Sequence, residues 1–414
     1  MRPALWSVAI QAAGSAATVA SALLVASQMG LAAQGEFGLL RSWNDALVSL
    51  AVVGLPQGLL HMQYRESVPV AALRSWVGRY LASLATVFAV LAGAAWWVLP
   101  MAPFSTAFVR HPSTVIALAG AVALGAAHLL WRSLALREIG VVRYAAITAA
   151  PALLLLLALV PVGMAGRAGG FVWALFAAAA ISATASGLMV RRIGRLTATA
   201  PSGFPRWSRH RLWSVSAETG AQGVLTALSP ALMLSIAGWL GAPLAEIGAV
   251  SLGLHVYLVF GVASAYVAPM VYDRAARAEQ TPSTRQLVHW VRQRARAPLL
   301  LALGAAALLA LLLIRWLWPA GAGSLVLLSA MAVAGVLSMA VRLIVTLLLA
   351  RGAFRPVTVQ AVVRLLATAG GTALLMQIWS ATLAAPLALA FTELLLLGWL
   401  LWLVRPEASA RPAR

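Results

Sequence analysis

"LLRSWNDALVSLAVVGLPQGLL" (39–60) is long and apolar enough to cross a membrane, yet its first turns carry Arg41, Ser42, Asn44 and Asp45. Hydrocarbon about 30 Å thick needs roughly 20 apolar residues of helix. A charge at mid-depth costs at least ~2.5–3.5 kcal/mol on insertion scales, so each one needs a partner, water or a function. Whether this stretch lies in lipid decides the fold.

The surrounding chain answers that question. It has 414 residues, 62% hydrophobic and 10% charged, with a mean hydropathy of +0.91. A soluble domain of that length needs far more surface charge. Apolar blocks recur to the end of the chain and predict twelve spans, approximately 5–29, 38–61, 78–99, 114–136, 143–164, 169–190, 213–239, 246–271, 298–318, 323–350, 356–378 and 381–404. The expected fold class is an all-α polytopic membrane protein with twelve transmembrane helices.

Charge placement gives the orientation. All 30 basic residues are arginine. With the N-terminus in the cytoplasm, Arg110, Arg167 and Arg315 fall outside and Arg41, Arg342 and Arg364 fall within spans. Every other arginine falls inside. This is the positive-inside pattern, and it predicts a multi-pass protein of a bacterial inner membrane with both termini cytoplasmic. The net charge of +20 is therefore a topology signal with membrane lipids as its partners, and nucleic acid is not expected as one. The first span is longer than a signal-peptide core and reads as a retained helix.

Several chemistries are excluded. Without cysteine there is no disulfide, thiol nucleophile or thiolate metal site. The six histidines lack metal-ligand spacing, so no metal is expected, and no GxxxxGK[ST] cradle exists for nucleotide. The outer connections are short and leave no room for an external catalytic domain. Transport driven by a gradient or by the substrate fits better than enzyme chemistry, with no cofactor beyond a proton or sodium gradient.

The basic stretch "RRIGRLTATAPSGFPRWSRHR" (191–211) separates the sixth and seventh spans. It divides the chain into a first six-helix lobe (1–190), a cytoplasmic linker (191–212), a second lobe (213–404) and a tail (405–414). An internal echo accompanies the division: "GEFGLL" (35–40) and "AEIGAV" (245–250) each follow the first span of a half, and "QYRE" (63–66) and "VYDR" (271–274) each end the next. Parallel duplication requires six-helix repeats of this kind.

"QMGLAAQGEFGLLRSWNDALVSLAVVGLPQGLLHMQYRE" (28–66) resembles the first hairpin of Wzx-type oligosaccharide flippases, of the multidrug/oligosaccharidyl-lipid/polysaccharide exporter superfamily. The matching positions are Gly30, Gly35, Phe37, Gly38, Gly54, Leu55, Pro56, Tyr64 and Arg65. The resemblance implies two helical lobes around a central cavity, working by alternating access. It implies a lipid-linked (undecaprenyl diphosphate) oligosaccharide as substrate, moved outward for surface polysaccharide synthesis such as O-antigen, with a polysaccharide polymerase as a candidate partner. The alternative is a drug/cation antiporter of the same fold.

Polar residues inside the spans are the candidate site. Arg41 either snorkels to headgroups or joins Asn44 and Asp45 on a wet face, since Arg41 and Asp45 are one helical turn apart. Gln11, Gln222 and His255 are further cavity candidates, although a histidine such as His128 or His255 is more often a satisfied core residue. Asp45 and Glu218 are candidates for coupling to a cation. Counting 1.5 Å per residue from the cytoplasmic ends puts Arg364 about 12 Å deep and Glu393 about 16 Å deep, so the last two helices can bury them as an ion pair. Pro56, Pro151, Pro230, Pro269 and Pro386 are candidate bends, and Trp96, Trp97, Trp316 and Trp318 candidate interfacial anchors.

Overall fold

A computed structural model describes residues 2–64, 66–98, 112–166, 169–196, 209–277, 300, 303–314, 323–350 and 353–404. Among these residues the secondary structure is helical, without strands. The helices are α1 (Arg2–Val52), α2 (Leu55–Tyr64), α3 (Val70–Val98), α4 (Pro112–Ala165), α5 (Gly170–Leu196) and α6 (Arg209–Trp239), followed by α7 (Leu244–Arg277), α8 (Leu303–Ile314), α9 (Gly323–Ala350), α10 (Phe354–Leu375) and α11 (Ala381–Leu403). Ten of the described segments are long and apolar enough to cross a membrane, and α8 is a shorter apolar helix at the place of the ninth expected span. Hydrocarbon offers backbone N–H and C=O groups no partner, so a spanning segment bonds them internally as helix.

Two expected pairs of spans are joined almost without a loop. Within α1 the backbone leaves helical geometry at Gly30, with φ +87°. Arg41 Nη2 nevertheless donates to Thr18 Oγ1 at 3.3 Å. These residues lie twelve before and eleven after Gly30, and in a continuous helix they would be about 35 Å apart. The two arms therefore fold back on each other at one glycine, whose missing Cβ permits the positive φ. Gly140 (φ +75°) plays the same part in α4, and the Arg132 guanidinium lies 5.4 Å from the Tyr144 ring across it. With both hairpins resolved, and α2 continuing the second span, the helices follow the expected order.

The chain divides into two compact units, Met1–Ala231 and Leu232–Arg414. The division falls inside α6, not in the basic stretch 191–212, and packing explains it. Leu212 of α6 belongs to the same apolar core as Leu55, Leu59 and Met62 of α2, Leu73 and Val77 of α3, and Leu130 and Leu134 of α4. The second core of this unit joins Val25, Phe37 and Leu40 of α1 to Leu155 and Leu159 of α4 and Phe171 of α5. In the second unit, Val341, Val345 and Leu348 of α9 pack on Val357 of α10 and on Leu396 and Leu400 of α11.

The break between α1 and α2 lies in "GLP" (54–56). Gly54 has φ +71°, and Pro56 sits in the first turn of α2, where its missing N–H costs no helical bond. Here two backbones touch. A Cβ on Gly220 of α6 would lie 2.5 Å from the carbonyl carbon of Val53, and Gly58 packs equally closely on Ser216. Gly54 and Gly58 on one side, with Ser216 and Gly220 on the other, form paired small-residue stripes at four-residue spacing. An added methyl here meets backbone rather than a flexible side chain. Gly220→Ala is expected to lower stability by about 1–3 kcal/mol, measured as a fall in thermal midpoint in detergent. Gly78→Ala in α3, where a Cβ meets nothing within 4 Å, is expected to leave the midpoint unchanged or raise it.

Candidate functional site

The stretch 39–60 holds three of the residues singled out from sequence. Arg41 lies eleven residues, about 17 Å, from the hairpin tip at Gly30. The expected spans 5–29 and 38–61 leave several residues for a turn that Gly30 makes alone, so helix continues between the tip and Arg41. Arg41 points across the hairpin to Thr18, and its Nη1 is buried without a partner. It forms no ion pair with Asp45 within 4 Å. Asp45 is exposed, and its Oδ1 accepts from Asn44 Nδ2 at 3.5 Å. The hairpin thus holds Arg41 beyond ion-pair distance of Asp45 yet near enough to act on it through its charge, and Thr18 rather than Asp45 takes its hydrogen bond.

The other candidates are scattered. Gln11 is exposed on the first arm of α1, and Gln222 is half-buried on α6. The side chain of Glu218 lies outside the described residues, as do those of Trp96, Trp97, Pro269, Trp316 and Trp318. His128 and His255 are buried: His128 Nδ1 is 3.2 Å from Ser182 O and from Ser186 Oγ, and His255 Nδ1 is 3.0 Å from Ser251 O. A ring nitrogen facing a carbonyl carries the proton and donates it. Among the described residues no group of His, Asp and Glu could hold a metal ion.

The second unit is organised around one ion pair. Arg364 Nη2 donates to Glu393 Oε2 at 2.8 Å, with the side chains 4% and 0% exposed. Arg364 is ten residues from the start of α10, and Glu393 ten residues from the end of α11, so both sit about 15 Å along their helices, near mid-depth. Tyr257 of α7 donates its hydroxyl to Glu393 Oε1 at 2.8 Å, and it lies 2.9 Å from Ser338 Oγ of α9. Arg342 Nε, one turn further along α9, donates to Ser338 Oγ at 3.3 Å. Five side chains from four helices form one network.

Its proton directions follow from valence. Tyr257 has one hydroxyl proton, given to Glu393, so Ser338 must donate to the Tyr257 oxygen. Ser338 in turn offers its lone pair to Arg342. Every hydrogen bond from Arg342 to Glu393 points the same way.

A polar stripe runs along α10 beside this network. Gln360, Arg364, Thr368 and Thr372 recur every four residues, all 4% exposed or less. The Gln360 amide, Arg364 Nε, Thr368 Oγ1 and, on α11, Thr392 Oγ1 are buried without a protein partner. Buried polar groups of this kind are normally satisfied by internal water. Sequence reasoning paired Arg364 with Glu393 but missed Tyr257, Ser338 and the stripe. The four-residue period of Gln360, Arg364, Thr368 and Thr372 was the available signal.

Solved structures share this arrangement of helices from end to end. An inward-facing MATE family multidrug resistance transporter of the MOP superfamily matches with a TM-score of 0.61 at 11% identity, over 97% of this chain and 98% of that one. A MATE structure in the straight conformation matches with a TM-score of 0.65 at 13% identity, over 97% and 95%. The chain has the fold of these MATE transporters. A MOP superfamily transporter from Pyrococcus furiosus, whose binding pocket is described as of reverse polarity, matches at 0.59 with 13% identity, over 97% and 94%. No protein-family model matches the chain, and no curated protein sequence does.

Removing one partner of a buried ion pair leaves the other charge uncompensated. Glu393→Gln and Arg364→Met are each expected to cost about 3–5 kcal/mol, and the double replacement Arg364→Met with Glu393→Leu should recover most of that loss. Thermal unfolding of the four proteins in one detergent checks this; additive losses in the double variant would contradict the pairing.

Proposed function

We propose that the chain is an alternating-access antiporter that exports an amphiphilic solute in exchange for an inward-moving cation, the drug/cation antiporter reading. The observation that carries it is Asp45. An ionised carboxylate in a membrane span that is not directly ion-paired is costly in lipid. It becomes tolerable on a hydrated face, where it can take up a proton or sodium ion. End-to-end likeness to multidrug MATE transporters supports this reading over the flippase reading. Arg41, held by Thr18 rather than by Asp45, leaves the carboxylate available. Glu218 is the second coupling candidate.

A Wzx-type flippase for a lipid-linked oligosaccharide is the second reading, favoured by one observation. Gly30 and Gly54, two glycines of the resembling hairpin, both take positive φ, so the motif has a backbone reason as well as a sequence one. On that reading the oligosaccharide head crosses between the lobes of an inner-membrane protein while the polyprenyl tail stays in lipid. A polysaccharide polymerase is then a natural partner.

Efflux separates the two readings. Cells producing the chain should expel amphiphilic toxicants until a protonophore or sodium ionophore collapses the gradient. Asp45→Asn should abolish that efflux at equal protein level, and Arg41→Gln should reduce it less. Unchanged efflux in Asp45→Asn would remove the coupling assignment. Accumulation of lipid-linked oligosaccharide in the inner leaflet of a deletion strain, with no change in drug sensitivity, would put the flippase reading first.

A further inference from the structure

In the first unit, the turn from α2 to α3 and the end of the first arm of α4 form a cleft of about 180 Å³. Gln63, Ser67, Val70, Arg137 and Glu138 are among the residues that line it. The cleft lies at the ends of two spans, because α3 begins at Val70 and the first arm of α4 stops at Gly140. Arg74 of α3 and Arg143, just beyond the Gly140 turn, lie toward the same end. Arginines and a tyrosine gathered at span ends belong at the level of lipid headgroups.

The cleft carries both signs of charge. Arg137 Nη1 donates to the Gln63 carbonyl, and its guanidinium lies 5.9 Å from the Tyr64 ring, so the last turn of α2 holds it in place. The turn's own bonds run from Val68 N to Met62 O, at 3.0 Å, and from Ala72 N and Leu73 N to Pro69 O, which leaves the N–H groups of Val70 and Ala71 unused. Free N–H groups at a helix start attract an anion. The remaining groups ask for the opposite. Glu138 is exposed and has no ion-pair partner among the described residues. Gln63 is wholly buried, with Nε2 donating to Leu134 O at 3.4 Å and Oε1 left without a donor. A buried oxygen in that state lacks a proton donor. A plain anion in this cleft would meet the Glu138 carboxylate, and a plain cation would meet Arg137.

We propose that this cleft binds a phosphoethanolamine group, with the phosphate between Arg137 and the start of α3 and the primary ammonium on Glu138 and Gln63. A ligand with both charges a few atoms apart satisfies every group that either charge alone would leave unmatched. A primary ammonium brings three N–H donors to these acceptors, and a trimethylated one brings none. A membrane phospholipid and a soluble phosphoethanolamine share this chemistry; the position at two span ends favours the lipid. Bound there, the headgroup ties the end of α2 to α4, so membrane composition acts on the helix that meets α6 through Gly54 and Gly58. The site is independent of which solute the chain moves.

Native mass spectrometry of the full chain in detergent tests this, with short-chain phosphatidylethanolamine, phosphatidylcholine, phosphatidylglycerol and free O-phosphoethanolamine as probes. Phosphatidylethanolamine should bind about 10-fold more tightly than phosphatidylcholine, the loss expected when charge-assisted hydrogen bonds are methylated away. Phosphatidylglycerol, with the phosphate but no cation, should also bind more weakly. Glu138→Gln should weaken phosphatidylethanolamine and strengthen phosphatidylglycerol, a change of selectivity that a merely structural role would not produce. Arg137→Gln should weaken both lipids. Arg137 also braces α2, so if that variant does not fold, the exposed Glu138 decides the matter. O-phosphoethanolamine binding as tightly as the lipid supports the site with a soluble ligand; much weaker binding supports a membrane lipid. Equal binding of the three lipids, or an unchanged preference in Glu138→Gln, overturns the proposal.

Discussion

A carboxylate and a guanidinium 2.8 Å apart at mid-depth constrain the whole second unit. Neither charge is stable alone where water is scarce, so α10 and α11 are held in the one register that lets Arg364 meet Glu393. The second carboxylate oxygen takes the Tyr257 proton and brings α7 to the same point. Tyr257 fixes Ser338, and Ser338 fixes Arg342, so α9 is included. Apolar packing among Val341, Val345, Val357, Leu396 and Leu400 fills the space around this polar centre. In a lipid environment apolar contact discriminates weakly between neighbouring helices, and the hydrogen-bonded charges supply the specificity.

The first unit is built differently. Its helices turn on glycines, at Gly30, Gly54 and Gly140, and α2 meets α6 backbone to backbone through Gly54, Gly58, Ser216 and Gly220. Contacts between small residues have no interdigitated side chains to withdraw, so they separate and reform with little repacking. Glu66 and Arg211 form an ion pair at the ends of the same two helices. A charge-locked bundle and a smooth glycine seam suit the transport proposed above: one keeps its helices in register, the other permits movement.

Much of this was legible in the sequence. Apolar length and arginine placement gave the helical order, because bilayer thickness and charge cost act on every span alike. The Arg364–Glu393 pair could be found by counting depth along two adjacent antiparallel helices. The tip of the first hairpin was hidden, since nothing in "QMGLAAQGEF" (28–37) announces that Gly30 reverses the chain alone. Tyr257 and Ser338 were missed because a single hydroxyl in an apolar run has no periodicity. The division of the chain inside α6 was equally hidden: the basic residues of 191–211 mark a connection, whereas Leu212, Ser216 and Gly220 decide what the following helix packs against.

On the proposed antiport, the α2–α6 seam opens and closes with each exchange cycle. The chain contains no cysteine, so cysteines replacing Tyr64 and Arg209, at the ends of those helices, can be spin-labelled without a background. Pulsed electron resonance on the reconstituted protein would then read the distance across the seam. The account predicts two distance populations, with the longer one shifting in weight when pH is lowered, and with that response lost in Asp45→Asn. A single distance, unchanged by pH, would contradict it.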